Sequence, residues 1–201
     1  MLFDSPVLVV NQKAKVFEMV SEYVVRDEAG NQLGAVREVG QSRARKVLRF
    51  VSQVDDFLTH RYEIVDSSSG SVVLRVTRPR RFLKANVVIS GPDDAEIGRV
   101  VQQNVIGKIR FALVAADGTA VGSINAENWR AWDFSVADAS GTEVARVTKK
   151  WAGLGRELFT TADNYVVSVP SPLDEPLRSI VVASALCIDT ALKQDSGGGL
   201  R

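Results

Sequence analysis

Two runs of basic side chains are the residues whose type and spacing point most directly to chemistry. Arg78, Arg80, Arg81 and Lys84 gather around Pro79 between two apolar stretches, and Arg43, Arg45, Lys46 and Arg49 form a second run. Guanidinium forks match phosphate oxygens, and each Lys or Arg held close to an anionic bilayer adds about 1 kcal/mol of attraction. The chemistry implied is recognition of phosphate, as on the surface of an anionic phospholipid membrane. The same runs also serve as solvated strand faces or loops, so both readings stand at this point.

Catalytic and cofactor patterns are missing from the sequence. His60 is the only histidine and Cys187 the only cysteine, so neither a histidine-built metal cluster nor a cysteine-built one can be assembled, and we read His60 as a loop or strand-surface residue. Gly153-Leu154-Gly155 lacks the third glycine of a dinucleotide loop, and Gly107-Lys108 lacks the earlier glycine of a phosphate loop. No Gly-x-Ser-x-Gly occurs. The expectation is a protein that is not an enzyme. Trp129, Trp132 and Trp151 suit either a membrane interface or the buried wall of a barrel.

Composition bounds the partners. Lys and Arg total 25 against 24 Asp and Glu. The chain therefore lacks the bulk positive charge that draws a protein to nucleic acid, and an anionic partner must meet a local patch. A lone Cys187 excludes an internal disulfide and suits a reducing cytoplasm. Met1 to Pro6 carries no basic stretch ahead of an apolar one, as a cleaved signal would. The longest apolar stretch, Ile180 to Ile188, falls well short of the roughly 20 residues that span a bilayer. The expected setting is cytoplasmic, with a peripheral position at the inner face of the plasma membrane for a lipid-binding protein.

The elements that must position these residues repeat along the chain. Five times a short apolar run leads through an Asp- or Gly-containing turn into a second apolar run. The pairs are Tyr23–Asp27 with Leu33–Val36, Tyr62–Asp66 with Val72–Leu74, and Val87–Ile89 with Ile97–Val100. Phe111–Val114 with Val121–Ile124 and Phe134–Val136 with Val144–Val147 complete the set. Each reads as a β-hairpin, because Asp caps its own turn, Gly supplies positive φ, and β-branched and aromatic residues fit a pleated, half-buried surface. Further strands are expected at Val7–Val10, Val47–Val51 and Tyr165–Val169. About a dozen strands favour closure into a barrel.

From Pro176 to Gln194 the pattern changes. Ile180, Val181, Val182, Ala183, Ala185, Leu186, Ile188, Ala191 and Leu192 make this segment apolar nearly all round. A helix apolar on every face needs a complete jacket, and a barrel provides one. The fold class expected is therefore mainly β: a closed antiparallel barrel of about twelve strands around a central C-terminal helix at about residues 177–193. The domain is expected to cover residues 1–194, with a flexible Gly-rich tail at 195–201.

The stretch Val147-Thr148-Lys149-Lys150-Trp151-Ala152-Gly153-Leu154-Gly155-Arg156-Glu157-Leu158-Phe159-Thr160-Thr161-Ala162-Asp163-Asn164-Tyr165 resembles a block of the phospholipid scramblases. Pro170, Leu173-Asp174 and Leu186-Cys187-Ile188-Asp189 fall where that family has its strand end and closing helix. The opening Leu8-Val9-Val10-Asn11-Gln12, Phe17-Glu18 and Tyr23–Asp27 is similar to scramblases and to the plant LURP-one-related proteins. The resemblance implies the Tubby C-terminal-like fold, reached separately above from the repeat, in a bacterial-type relative. It also implies a calcium loop near Asp163, Asn164, Asp174 and Glu175, whose hard oxygens suit Ca²⁺. Thr161 stands where the family has the first acidic residue of that loop, and an Asp-Asn turn cap accounts for the same residues without a metal. No other cofactor is expected. Asp189, a carboxylate inside an apolar helix, matches a family Asp and is read as structural.

Two functions follow as expectations. One is a scramblase-like, non-enzymatic protein that binds anionic phospholipid at a membrane surface and influences phospholipid distribution. The other is a soluble binding module of the LURP-one and Tubby kind, with a small ligand or a protein partner of unknown identity.

Overall fold

The structure, a computed structural model, describes residues 2–12, 22–39, 59–79, 86–104, 110–128, 133–149 and 164–192. Twelve strands form one closed, wholly antiparallel barrel in which each strand pairs with its neighbours in sequence. They are β1 (Val7–Gln12), β2 (Glu22–Arg26), β3 (Gln32–Val39), β4 (His60–Asp66), β5 (Val72–Arg78) and β6 (Asn86–Ser90). After them come β7 (Glu96–Gln102), β8 (Arg110–Ala115), β9 (Ala120–Asn128), β10 (Asp133–Asp138), β11 (Glu143–Thr148) and β12 (Asn164–Ser168). The barrel closes where β1 meets β12, in a register running from Val7 opposite Ser168 to Asn11 opposite Asn164. Closure leaves no strand edge to be capped. The strand expected at Val47–Val51 lies outside the described residues.

The five expected hairpins are β2–β3, β4–β5, β6–β7, β8–β9 and β10–β11, and their turns share one geometry. In each, a residue with positive φ follows the turn: Gly30 (86°), Gly70 (67°), Gly118 (89°) and Gly141 (85°). The third turn places Asp94 there instead, at 64°. Each hairpin then carries a register shift beside the turn, as between Val25 and Arg26 or Val136 and Ala137. This is the bulge that lets a short loop follow the right-handed twist of its strands. Asp side chains finish the turns: Asp27 accepts from the Asn31 amide at 2.8 Å, and Asp138 from the Ser140 and Thr142 amides at 2.9 and 3.0 Å.

Alternation along the strands sorts the side chains. In β4, His60, Tyr62, Ile64 and Asp66 are buried, while Arg61, Glu63 and Val65 are not. The inward faces build one core that includes Leu8, Val36, Leu74, Ile89, Leu113, Phe134 and Tyr165. The outward wall carries ion pairs, Arg37 with Glu63 at 3.0 Å and Arg146 with Asp133 at 2.9 Å. Apolar inside and charged outside is the reverse of a barrel that spans a membrane.

The helix α1 (Leu177–Leu192) fills this lumen, as its all-round apolarity requires. Every residue from Ser179 to Leu186 is buried, and the helix packs against β5, β7 and β8. Gly98 on β7 permits the approach: a Cβ built there would stand 2.4 Å from Ile180 Cδ1 and 2.5 Å from the Val114 carbonyl oxygen. Higher up, the Tyr165 hydroxyl donates to the Leu186 carbonyl at 2.9 Å. Burying Ile180, Val181, Val182 and Leu186 contributes about 6–12 kcal/mol at roughly 1.5–3 kcal/mol each, comparable with the whole stability of a domain. Among the described residues no helix is long and apolar enough to cross a membrane.

A short 3₁₀ turn, Leu2–Asp4, closes the lumen where the helix begins. Leu2 is fully buried beside Gly34, and its amide donates to Asp66 Oδ1 at 3.1 Å. Asp66 also accepts from the amides of Ser68 and Ser69 and from the Ser68 hydroxyl. The Ser68 hydroxyl bond, followed by the amide bonds, holds the Asp66 carboxyl below the usual carboxylate range. The Arg178 guanidinium lies 5.5 Å from the Phe3 ring centre while pairing with Glu175 at 2.8 Å.

Candidate functional site

An up-and-down barrel has two rims, and its connections alternate between them. The five hairpin turns, the start of α1 and the Leu2–Asp4 turn lie at one, the hairpin rim. The connections β1–β2, β3–β4, β5–β6, β7–β8, β9–β10 and β11–β12 leave and re-enter at the other, the connection rim. The basic run at 43–49 belongs to the β3–β4 connection, and Arg80, Arg81 and Lys84 to the β5–β6 connection. Sheet order β3-β4-β5-β6 therefore sets the strand ends that flank the two runs side by side on one rim. The side chains of Arg43, Arg45, Lys46, Arg80, Arg81 and Lys84 themselves lie outside the described residues, as do Trp129, Trp132 and Trp151.

The described arginines divide by position, apart from Arg26 at the hairpin end of β2, which donates to the Gly30 carbonyl at 2.9 Å. On the wall and hairpin rim, Arg37, Arg75, Arg99, Arg146 and Arg178 all pair with carboxylates at 2.6–3.0 Å. Glu96 is held below its ordinary range by the hydrogen bond from Arg99, and Arg146 is pushed up by Asp133 and then Glu143. On the connection rim, Arg61 and Arg110 are exposed and form no ion pair among the described residues. The sequence reading passed over both, since each stands alone rather than in a run. Strand ends next to the basic connections were the available signal.

Arg78, the described member of its run, is the last residue of β5 and is half-buried. It lies opposite His60 in the register, on the strand face shared with Leu74 and Val76. His60 corrects an expectation. It is no surface residue but 2% exposed, the first inward position of β4, with Nδ1 sharing a 2.6 Å hydrogen bond with Glu38 Oε1. Its ring stacks on Tyr62 at 6.3 Å between centres. The physical reason is the strand period: His60 shares parity with Tyr62 and Ile64, and Glu38 on β3 shares parity with Val36, so both point inward and must satisfy each other. Glu38 was missed because a carboxylate beside Arg37 reads as half of a solvated charge pair.

Of the residues implied for calcium, the structure describes the backbone of Asn164 and the positions of Asp174 and Glu175. Asn164 opens β12 at the connection rim, whereas Asp174 lies beyond the other end of that strand, where its carbonyl accepts from the Arg178 amide at 3.0 Å as α1 begins. Asp163 and the Asp189 side chain lie outside the described residues. Among the described residues no group of three or more His, Cys, Asp or Glu is placed to hold a metal.

A closed twelve-stranded antiparallel barrel jacketing its own C-terminal helix is the Tubby C-terminal-like fold. Comparison with known proteins agrees. The chain belongs to the Scramblase family, whose model matches residues 1–192. It is 28% identical over 181 residues to altered inheritance rate of mitochondria protein 25 of Saccharomyces cerevisiae, covering 77% of this chain and 54% of that protein. It is 26% identical over 185 residues to a phospholipid scramblase family protein of Schizosaccharomyces pombe, covering 85% and 48%. The chain thus spans about half the length of these curated relatives. The X-ray structure of an Arabidopsis thaliana protein superposes with a TM-score of 0.54 at 14% identity, over 94% of this chain and 93% of that one, and shares the fold alone.

Proposed function

We propose that the chain is a peripheral, non-enzymatic binder of anionic phospholipid that meets the membrane through its connection rim and thereby influences phospholipid distribution. The observation that carries this reading is the sheet order, which sets the strand ends flanking the two basic runs side by side on one rim, with exposed Arg61 among them and exposed Arg110 further round on β8. Family membership supports lipid as the partner. A charged outer wall and a helix committed to the lumen support a surface position rather than insertion. The setting that goes with this reading is the inner face of the plasma membrane or another anionic cytoplasmic leaflet. Calcium, with Asp163 and Asn164 as its nearest donors in sequence, is a secondary proposal.

Co-sedimentation with vesicles of graded phosphatidylserine content, with and without calcium, tests the reading. Binding should rise with phosphatidylserine and fall with salt. Equal binding to neutral vesicles, or none to any, removes it.

A further inference from the structure

One sector of the lumen mouth is polar where its neighbours are apolar or aromatic. The even-numbered strands enter from the connection rim, and β2, β6, β8, β10 and β12 open their inward faces with Tyr23, Val87, Phe111, Phe134 and Tyr165, all buried. β4 opens instead with His60, between Glu38 on the inward face of β3 and Arg78 on that of β5. Burying an imidazole and a carboxylate costs stability that an apolar pair would not, and such departures from the core pattern belong to functional positions. We propose that Arg78 receives the phosphodiester of a lipid headgroup, held in place for it by Glu38 acting through His60; this rests on the phospholipid-binding reading above.

The hydrogen bond sets the direction of the relay. The Glu38 side chain is 6% exposed and that of His60 2%, with Oε1 standing 2.6 Å from Nδ1. An ionised carboxylate only accepts, so the proton of this bond sits on Nδ1. In the neutral ring Nε2 is then the acceptor. Sheet order puts β3 and β5 on opposite sides of His60. Arg78 is its register partner, and a same-face cross-strand pair has Cβ atoms within about 5.5 Å. Stacking on Tyr62 holds the ring. One guanidinium N–H given to Nε2 fixes Arg78 and leaves the rest of its fork for the two parallel bonds that a phosphate accepts. Arg78 is half-buried, so part of it stays in solvent for a ligand to reach.

Glu38 and His60 are positioning residues on this account, and their removal separates it from simple attraction by sign. As a charge, Glu38 opposes an anionic surface; as the base of the relay, it favours binding. Glu38→Leu with His60→Leu in the full chain abolishes the relay and one negative charge together. Were Arg78 only one cation among several, phosphatidylserine-vesicle affinity would stay equal or rise. Freeing a positioned side chain should instead lower it about two- to tenfold. Arg78→Lys keeps the charge without the fork and should weaken binding about tenfold, whereas Arg61→Lys, exposed on the outward face of β4, should stay within about twofold.

Should the double variant fail to fold, Arg78→Lys decides alone. Inorganic phosphate, added at matched ionic strength, should leave the chain on the vesicles; its release would make free phosphate the ligand and overturn the lipid assignment. Equal or tighter binding by the folded double variant, or an Arg78→Lys protein within twofold of the parent, overturns the positioned site while leaving lipid binding intact. Absence of binding by the parent chain to any anionic vesicle overturns both.

Discussion

Gly98→Ala tests how closely the barrel grips its helix. The added methyl would stand 2.4 Å from Ile180 Cδ1 and 2.5 Å from the Val114 carbonyl oxygen. A real carbon contact needs about 3.5 Å or more, so something must move. The Ile180 tip can rotate, but the carbonyl belongs to β8, paired to β7 through Gly98 and Ala115, and shifts only with the sheet. Overpacking of this kind destabilises by about 1–3 kcal/mol. For a chain near 200 residues that lowers Tm by roughly 2–12 °C. Ile180→Val removes the clashing Cδ1 and alone costs about 0.5–1.5 kcal/mol. In the double variant the two losses should overlap, so that the combined loss falls short of their sum by about 0.5 kcal/mol or more. Urea unfolding of the four proteins supplies the cycle. Strict additivity, or a Gly98→Ala protein as stable as the parent, would refute the packing of α1 against β7.

Asp66 keeps a depressed carboxyl in the folded chain, so its stabilisation is complete above the unfolded value near pH 4 and is lost as pH falls through the lower folded value. Melting temperature should hold from neutrality to about pH 5 and drop below pH 4, and Asp66→Asn should be less stable at pH 7 with a flatter acid limb. Removing Glu38 from His60 by Glu38→Ala should destabilise by about 1–3 kcal/mol in urea, because a buried polar ring loses its 2.6 Å partner, whereas the double change to Leu at both positions should cost less. Asp94→Gly should stabilise by about 0.5 kcal/mol, since relief of the positive φ outweighs an exposed Arg75 ion pair, and Asp94→Ala should not.

Much of this architecture is legible in the residues because one device is used five times. Asp or Gly turns between β-branched runs announce each hairpin, and a segment apolar on all faces announces a helix that must be enclosed. Contacts made by single residues across long separations are a different matter. The Leu2 amide reaches Asp66 across 64 positions, and nothing in either local pattern marks it. His60 was misread because it sits at the first position of its strand between polar Thr59 and Arg61, where the inward parity is visible only once Tyr62 and Ile64 are known to face the core. Asn164 and Asp174 are near in sequence yet separated by the height of β12, which spacing alone cannot reveal. The two basic runs were each visible, but that the strand ends flanking them are neighbours on one rim follows from strand order, not from either run.

The most direct measurement of that rim is the salt-dependent affinity of the chain for phosphatidylserine vesicles, compared with a variant carrying Arg78→Ala, Arg80→Ala and Arg81→Ala. At about 1 kcal/mol for each charge near the surface, the variant should bind roughly 100-fold more weakly at low salt, with a shallower salt dependence. Equal affinity and an equal salt slope, in a variant that melts like the parent, would contradict the account.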